Sequence, residues 1–399
     1  MAKVNKKDFS LTEWVDNIII QGVNRGASDI HFDPFSDKAV VRFRIDGLLH
    51  GVETTSLDSL ETIIARLKVM AQLNTTEKRK PQDGHILFQS DIVGGAQPMD
   101  LRLSIFPTVS GEAAVIRILS RKDFLFESLE KLGMSPETAD NIRSMAQKPS
   151  GMILATGPGG SGKSSTLYTI LNHLKEEKPQ KNIITLEDPV EIYLEGVRQS
   201  QIHPEIGFTF AEGLKSILRQ DPNVIMVGEI RDDETAEISV RAALMGSLFF
   251  STMHTINSVG AIVRFTELGL SRSLIASSLL VVIAQRLVRT ICPHCKEEII
   301  PDKKLLAMSG IGEELKISKL YHGKGCDACS NSGYIGRTGV FEVMFINKEI
   351  QELIMSGASF NEIENYAKKN GMKTLRQAAI QKAIDGITTL EEAIRVTPL

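Results

Sequence analysis

Residues 151–164 read GMILATGPGGSGKS, an apolar run followed by a glycine-rich segment and a Lys-Ser pair. The run 151–156 predicts a buried strand, and residues 165–171 are compatible with a helix. Glycines let successive backbone N–H groups point inward around phosphate oxygens, where a Cβ would obstruct them. Lys163 would reach the β- and γ-phosphates, Ser164 would offer its hydroxyl to Mg²⁺, and the helix N-terminus would add positive potential.

This segment predicts a binding site for a nucleoside triphosphate. A glycine-rich turn alone is usually only a turn, but here the complete eight-residue pattern lies between a strand and a helix. The residues that we expect to contact the nucleotide are Gly157, Pro158, Gly159, Gly160, Ser161, Gly162, Lys163, Ser164 and Ser165.

The composition is that of a globular protein without a membrane span. The 399 residues are enough for two or three domains, and 42% of them are hydrophobic. A net charge of −3 gives no general attraction to nucleic acid. The N-terminus is basic but lacks the apolar core of a signal peptide, and the apolar stretch 273–285 is too short to cross a bilayer. We therefore expect a cytoplasmic protein.

All four cysteines lie in one region, as two CxxC pairs formed by Cys292 with Cys295 and Cys326 with Cys329. Four thiolates make a closed tetrahedral set for a structural Zn²⁺. The alternatives are four unpaired thiols or a redox pair. The long gap between the pairs predicts a helical insertion at 301–319, and His294 and His322 are expected to be neighbours rather than ligands.

The first part of the chain, residues 1–119, predicts a separate α+β domain. Apolar spacing predicts helices at 11–25 and 57–73, and short runs predict strands at 28–33, 39–45, 48–51, 85–89, 99–107 and 112–119. A linker is expected at 120–134.

Residues 135–399 predict an α/β domain in which apolar strands alternate with helices around a central sheet. After the first strand, further strands are expected at 183–186, 197–201, 224–227 and 248–253. This pattern indicates a RecA-like fold that includes a zinc subdomain at about 290–335. The C-terminal part, 345–399, is expected to be helical, with core residues Leu353, Ile363, Ala367 and Leu375.

Three of these strands end in side chains that suit phosphate chemistry. Glu187 follows one strand, Glu229 follows another, and His254 follows a third, where it could sense the γ-phosphate. Hydrolysis needs one carboxylate to orient or deprotonate water and another to hold the Mg²⁺ shell. An acid at a strand end is often only a helix cap, but this reading weakens beside a phosphate-binding loop.

Together these motifs resemble the secretion and type IV pilus assembly ATPases of the GspE/PilB type. GPGGSGKSS, ITLEDPVE, VGEIRDDETAE, LFFSTMHTINS and the paired CxxC motifs occur in this order, and GASDIHFDP, VRFRIDG and PQDGHI resemble the family's second N-terminal domain. The likeness spans about residues 10–399. It implies that the ATPase domain follows a smaller, PAS-like α+β domain, with ATP, Mg²⁺ and Zn²⁺ bound.

The resemblance also implies roles for individual residues. Residues 157–164 match the Walker A loop, Glu187 lies in the aspartate box, Glu229 in Walker B and His254 in the histidine box. Glu187 would then activate water and Glu229 would assist Mg²⁺ binding, with exchanged roles left open. Gly228 replaces the aspartate of a general Walker B, which is usual in the family, and no role is assigned to His203.

Three arginines receive roles only from the resemblance. Strand arginines are usually solvated or ion-paired, but arginines that match Arg102 and Arg117 reach the nucleotide phosphates in this family. Such fingers supply positive charge to the transition state. Arg219 is a weaker candidate for the same task at a subunit boundary, because these enzymes form hexameric rings.

The implied function is a homo-hexameric ATPase, peripheral to the inner membrane, that drives a platform protein and assembles pilin or pseudopilin subunits. The CxxC pairs favour assembly and secretion ATPases over the retraction type. The likeness begins near residue 10, so we expect a short natural member or a shortened piece that lacks the domain many relatives use to bind an inner-membrane anchor. The alternatives are a nucleic-acid motor, disfavoured by the charge and the lack of an aromatic and basic groove, and a nucleotide-dependent scaffold.

Overall fold

The computed structural model describes residues 11–89, 99–118, 127–310, 317 and 319–397. Contacts divide the chain into two compact units, Met1–Lys122 and Asp123–Leu399, which we call the first unit and the second unit. The predicted domain boundary at residue 119 and the first part of the predicted linker, 120–126, lie outside the described residues.

The first unit combines helices with an antiparallel sheet. Its described helices are α1 (Leu11–Asn24) and α2 (Leu57–Met70). Its described strands are β1 (Ala27–Pro34), β2 (Ala39–Ile45), β3 (Leu48–Thr55), β4 (Gln82–Phe88), β5 (Met99–Thr108) and β6 (Gly111–Ile118). The six strands pair in the order β3-β2-β1-β6-β5-β4.

Both helices of the first unit pack on one face of this sheet. Ile18 of α1 and Leu67 of α2 are buried in a core with Ile30 and Phe43 from the strands. Successive strand side chains point to opposite faces, so the residues between the core positions lie on the other face. That second face carries Arg102 and Arg117, which occupy directly opposite positions on β5 and β6.

The second unit contains the remaining elements. The strands are β7 (Gly151–Thr156), β8 (Ile183–Glu187), β9 (Arg198–Gln201), β10 (Val224–Val227), β11 (Leu248–Met253), β12 (Leu279–Ile291), β13 (Lys296–Ile299), β14 (Leu320–Gly323) and β15 (Tyr334–Phe345). The helices are α3 (Pro136–Ala146), α4 (Lys163–Glu177), α5 (Phe210–Ile217), α6 (Asp233–Leu244), α7 (Ser258–Glu267), α8 (Arg272–Ser278), α9 (Lys303–Ser309), α10 (Lys348–Ser356), α11 (Phe360–Lys369), α12 (Leu375–Ile384) and α13 (Leu390–Val396).

The main sheet of the second unit has seven strands in the order β15-β12-β7-β11-β10-β8-β9. All neighbours pair in parallel except β12 and β15, which are antiparallel. Apolar clusters cover both faces, which explains why the central strands read as continuous apolar runs. Parallel pairing brings the carboxyl ends of β7, β8, β10 and β11 to the same edge of the sheet, where ligands bind in open α/β sheets.

The cysteine region forms a smaller element beside the main sheet. Strands β13 and β14 make a separate two-stranded antiparallel sheet. The predicted helical insertion is present in part as α9, while residues 311–316 and 318 lie outside the described part of the chain. C-terminal to β15, Ile363, Ala367 and Leu375 are buried as predicted, and Leu353 packs against the core while partly exposed.

Two departures from the sequence expectations concern packing. Strands β12 and β15 were not predicted, although they share the longest pairing of the second unit. Residues Leu129, Leu132 and Met134, within the predicted linker, are buried in the second unit's core beside α3. Among the described residues, no helix has both the length and the apolar character needed to cross a membrane.

Candidate nucleotide site and cysteine cluster

The glycine-rich loop joins the end of β7 to the start of α4. Gly162 precedes the helix at φ 88°, and no side chain caps the first turn of α4. The first N–H groups of a helix have no intrahelical partner and attract anions. The Ser161 hydroxyl is also buried without a hydrogen-bond partner among the described residues. A phosphate oxygen would satisfy these donors.

Two side chains from β12 pack directly behind this loop. Gln285 is 1% exposed, and its Oε1 accepts a hydrogen bond from the Thr166 hydroxyl at 2.7 Å. A Cβ on Gly162 would lie 2.6 Å from Gln285 Nε2, and a Cβ on Gly157 would lie 2.5 Å from the Gln285 carbonyl oxygen. Glycine is therefore required at both positions by close packing as well as by backbone conformation.

Arg286 connects this packing to the loop that follows β11. Its guanidinium donates to the carbonyl oxygen of Gln285 at 2.9 Å and to that of Ile256 at 2.7 Å. Burial lowers the pKa of Arg286, partly opposed by Glu342. The arginine thus places a second positive charge near Lys163.

Lys163 curls back over the loop. Its Nζ donates to the carbonyl oxygens of Gly157 at 2.9 Å and Pro158 at 3.0 Å. Burial lowers the pKa of Lys163, and the positive charge of Arg286 lowers it further, whereas the negative charge of Glu229 opposes the shift. The lysine therefore lies in the electrostatic field of the Glu229 carboxylate.

Glu187 ends β8 as a buried side chain, 3% exposed. Its Oε1 accepts hydrogen bonds from the Thr185 hydroxyl and from Gln199 Nε2 at 3.0 Å, and its Oε2 accepts one from the Tyr168 hydroxyl. Burial and the negative charge of Glu187 raise the pKa of Tyr168, so this hydroxyl remains a donor. Protein donors therefore engage both carboxylate oxygens of Glu187.

Glu229 lies two residues after β10 and has a different environment. Its side chain is 14% exposed, pairs with Arg231, and lies 3.5 Å from His254 Nε2 through Oε2. The backbone beside it is fixed, because the Thr252 hydroxyl donates to the Gly228 carbonyl oxygen at 2.7 Å. The two acidic strand ends are neighbours, because β8 and β10 pair in parallel.

Arg102 and Arg117 lie together in the first unit. They are directly opposite each other on neighbouring strands and line one cavity of about 430 Å³ with His85 and Asp83. Arg117 Nε donates to Asp29 Oδ1 at 2.9 Å. The hairpin of β5 and β6 thus brings both arginines to one face of the sheet.

Arg219 lies away from the phosphate-binding loop of its own chain. It follows α5 and precedes β10, so it lies at the amino end of the parallel strands, opposite the edge that carries the loop. Its guanidinium donates to the Lys215 carbonyl oxygen at 3.0 Å. A role at a subunit boundary remains a prediction. His203, for which no role was assigned, lies 3.3 Å from Glu205 Oε1 through Nδ1.

The four cysteines form one cluster, with all Sγ atoms within 4.8 Å of one another. Three Sγ–Sγ distances are 3.8 Å for Cys292 and Cys326, 3.9 Å for Cys295 and Cys329, and 3.7 Å for Cys326 and Cys329. Tetrahedral Zn²⁺ with Zn–S bonds of about 2.3 Å needs sulfur atoms about 3.8 Å apart. The cluster fits a zinc site.

Backbone donors also favour thiolates in this cluster. The N–H groups of Cys326 and Gly333 each lie 3.2 Å from Cys329 Sγ. Burial would raise the pKa of Cys329, but these donors and the neighbouring thiols lower it to about 6. Burial raises the pKa of Cys295 to about 12. A metal ion would be needed to hold all four sulfurs as thiolates.

The sequence did not predict several residues that surround the candidate nucleotide site. Tyr168 and Gln199 hold Glu187, and Gln285 and Arg286 support the phosphate-binding loop. Tyr168 could have been found, because it lies on the helix after Lys163. Gln285 and Arg286 carry no local signal, because they are more than a hundred residues away in the chain.

Comparison with known proteins agrees with this geometry. The family model described as "Type II/IV secretion system protein" matches residues 4–395. The chain is 43% identical over 386 residues to the type IV pilus assembly ATPase PilB of Thermus thermophilus, covering 96% of this chain and 43% of that relative. It is 42% identical over 393 residues to the type II secretion system ATPase E of Vibrio cholerae, covering 98% of this chain and 76% of that relative. The chain thus spans less than half the length of the Thermus protein.

Solved structures of ATPases are similar to this chain in fold. The pilus retraction motor PilT with bound ADP is similar with a TM-score of 0.63 and 26% identity, over 96% of this chain and 97% of that one. The Legionella pneumophila ATPase DotB has a TM-score of 0.71 at 19% identity, over 98% of this chain and 96% of that one, which shows a shared fold. The chain belongs to the type II/IV secretion system protein family, whose members among its relatives are secretion and pilus assembly ATPases.

Proposed function

We propose that this chain hydrolyses ATP to ADP and phosphate at the loop between β7 and α4, within a RecA-like second unit. The observation that carries the proposal is the convergence of Lys163, the uncapped start of α4 and the Glu229–His254 pair at one edge of a parallel sheet. Ser164 would bind Mg²⁺ through its hydroxyl, and the ion would neutralise phosphate charge when bound.

The two carboxylates differ in what they can do for an attacking water. Oε1 of Glu187 already accepts two hydrogen bonds and Oε2 accepts one, all from protein donors, so only Oε2 keeps a free lone pair for an attacking water. Glu229 is more exposed, and its negative charge opposes the lowering of the Lys163 pKa by burial. We therefore favour the exchanged roles, in which Glu229 orients and deprotonates water while Glu187 organises the edge of the sheet.

The first unit would supply positive charge to the transition state. Arg102 and Arg117 share one cavity and face, so a single phosphate group could engage both. In this proposal the first unit is PAS-like, six chains form a ring, and both arginines act on the γ-phosphate. Arg219 would act at a boundary between chains.

The cysteine cluster would hold one structural Zn²⁺. Its closed set of four sulfurs has no open position for substrate, and its sulfur spacing suits the tetrahedral metal. The bound ion would therefore stabilise the fold of the β13–β14 region.

The relatives support a proposal for the cellular role. They include a type IV pilus assembly ATPase and a type II secretion system ATPase. We propose a cytoplasmic ATPase, peripheral to the inner membrane, that works with a platform protein and other inner-membrane components to assemble a pilus or pseudopilus. Residues 78–80, Lys-Arg-Lys, form a short basic segment. Binding of nucleic acid there is disfavoured, because Lys78 pairs with Glu61 and Arg79 pairs with Glu77.

Phosphate release from purified protein with Mg²⁺ and ATP tests this proposal. We expect turnover that duplex or single-stranded DNA does not stimulate. Turnover that depends on DNA would instead favour a nucleic-acid motor, and tight ATP binding without any turnover would favour a nucleotide-dependent scaffold.

A further inference from the structure

A buried carboxylate lies beneath the arginine face of the first unit. Asp29 on β1 is 5% exposed and stands opposite Arg117 on β6 and Arg44 on β2. Its Oδ1 accepts the hydrogen bond from Arg117 Nε. Its Oδ2 accepts one from the Ser28 hydroxyl at 2.8 Å and lies 3.7 Å from Arg44 Nε.

This contact fixes one edge of the Arg117 guanidinium. A guanidinium offers five N–H donors in a rigid planar fork, and Asp29 engages the Nε–H. Among the described residues, the terminal amino groups of Arg117 have no hydrogen-bond partner, although its side chain is 65% exposed and lines the cavity shared with Arg102. One edge is therefore anchored while the other stays available to an anion.

The Asp29 carboxylate also offsets the repulsion between two neighbouring arginines. Arg102 and Arg117 are directly opposite each other, and like charges in that position destabilise a sheet. A negative charge under Arg117 offsets this repulsion. It also limits the rotamers of a long side chain, so less entropy is lost when the chain binds a phosphate.

We propose that Asp29 is a positioning residue that orients the Arg117 guanidinium toward the cavity, so that its terminal amino groups meet the phosphate of the nucleotide. This inference rests on the proposed finger role of Arg117. Asp29 does not touch the nucleotide. It acts only through the arginine.

Asp33 provides a matched control on the same strand and the same face. Its carboxylate accepts from Arg42 Nε at 2.8 Å, so it forms an acid–arginine pair without any contact to Arg117. In the full chain, Asp29→Ala should lower kcat about tenfold or more with an unchanged KM for ATP, because the proposed finger stabilises the transition state and does not contribute to ATP binding in the ground state. Asp33→Ala should keep wild-type kcat. The milder Asp29→Asn should give an intermediate loss if Asp29→Ala folds poorly, which urea unfolding would reveal.

A double-mutant cycle separates positioning from general stability. In the Arg117→Ala background, Asp29→Ala should cause no further loss of kcat, because there is no guanidinium left to orient. The inference about Asp29 would be overturned if Asp29→Ala lowered kcat equally in the wild-type and Arg117→Ala backgrounds. It would also be overturned if both Asp29 variants kept wild-type kcat while Arg117→Ala was impaired. In either case the finger role of Arg117 would stand. Wild-type kcat in Arg117→Ala would remove the finger role and this inference with it.

Discussion

At the scale of single residues, Glu187 and Glu229 differ in the groups that surround their carboxylates. Glu187 is enclosed by Tyr168, Thr185 and Gln199, whereas Glu229 meets His254 and Arg231 at a more open position. A general base needs a free oxygen within reach of its proton. The two acids are therefore expected to respond differently to the same substitution.

We predict that Glu229→Gln lowers kcat by about a hundredfold or more, because it removes proton acceptance and charge while conserving shape. Glu187→Gln should lower unfolding stability more and kcat less, because an amide would direct N–H groups at buried donors. Steady-state phosphate release and urea unfolding of both variants check this. A larger kcat loss in Glu187→Gln, with unchanged stability, would restore the roles first expected from the sequence.

The Tyr168 hydroxyl offers a second test at this scale. Tyr168→Phe removes one donor to the buried Glu187 carboxylate, which should cost about 1–3 kcal/mol of unfolding free energy. Tyr193→Phe is the matched control, because Tyr193 is 77% exposed. Equal unfolding midpoints for the two variants would show that the contact with Glu187 contributes nothing.

The sequence predicts this site only as far as its signals are local. The segment 157–164 carries its chemistry in consecutive residues. Glu187, Glu229 and His254 can be recognised in the sequence because each follows an apolar strand. Gln285 and Arg286 lie in a continuous apolar strand, and only tertiary packing brings them behind the loop. No pattern of spacing could reveal that contact.

At the scale of elements, the cysteine cluster joins two CxxC turns that flank β13 and β14. We predict one zinc per chain in protein purified without added metal. Cys292→Ser should lose the zinc and destabilise this region, because metal binding is coupled to folding. His294→Ala, which changes an exposed neighbour, should keep it. Elemental analysis of the three proteins decides, and a folded wild-type protein without zinc would contradict the assignment.

Helix α13 is tied to β12 by a buried acid. Glu392 is 1% exposed and accepts from Arg289 Nη2 and from Arg395 Nε, each at 2.7 Å. Burial alone would raise the pKa of Glu392, but the hydrogen bonds from Arg395 and Arg289 lower it to about 2. The unfolded pKa is about 4.3, so this group stabilises the fold fully above that pH.

This stabilisation should be lost as the pH falls from about 4.3 toward 2. The loss is on the order of 2–3 kcal/mol, because a depressed folded pKa favours the charged state. Urea unfolding of wild type and Glu392→Gln between pH 5 and pH 3 measures this loss. The difference in unfolding free energy between the two proteins should become smaller as the pH falls. Glu391→Gln changes an exposed neighbour and should track wild type. A constant difference across this window would contradict the assigned pKa.

Elements differed in how far the sequence predicted them. Strands β10 and β11 match the predicted ranges, since each is a short apolar run with clear boundaries. Strands β12 and β15 were missed because residues that pair between them lie about fifty positions apart in the chain. In addition, the mostly apolar run 279–288 does not alternate between apolar and polar residues. Pairing between distant segments, and not local preference, creates them.

At the scale of the whole molecule, the proposed finger arginines belong to the first unit and the glycine-rich loop belongs to the second unit. We predict that Arg102→Ala and Arg117→Ala each lower turnover sharply while ATP binding persists, because the P-loop belongs to the second unit. The double variant should lose less than the sum of the separate free-energy effects if both arginines act on one transition state.

The assembly should be a ring of six chains. Light scattering of the active protein with ATP measures its mass, and we expect that of a hexamer. Full turnover by a species with the mass of one chain would contradict the ring.

We expect this chain to turn over ATP at the loop between β7 and α4. Phosphate release at saturating Mg²⁺ and ATP tests it most directly when wild type is compared with Lys163→Ala and Lys181→Ala. Lys181 is the matched control, because it lies just before β8 at the far end of the sheet. We predict steady phosphate release by wild type and Lys181→Ala, and background release by Lys163→Ala. Wild-type release by Lys163→Ala, or no release by wild type, would contradict the account.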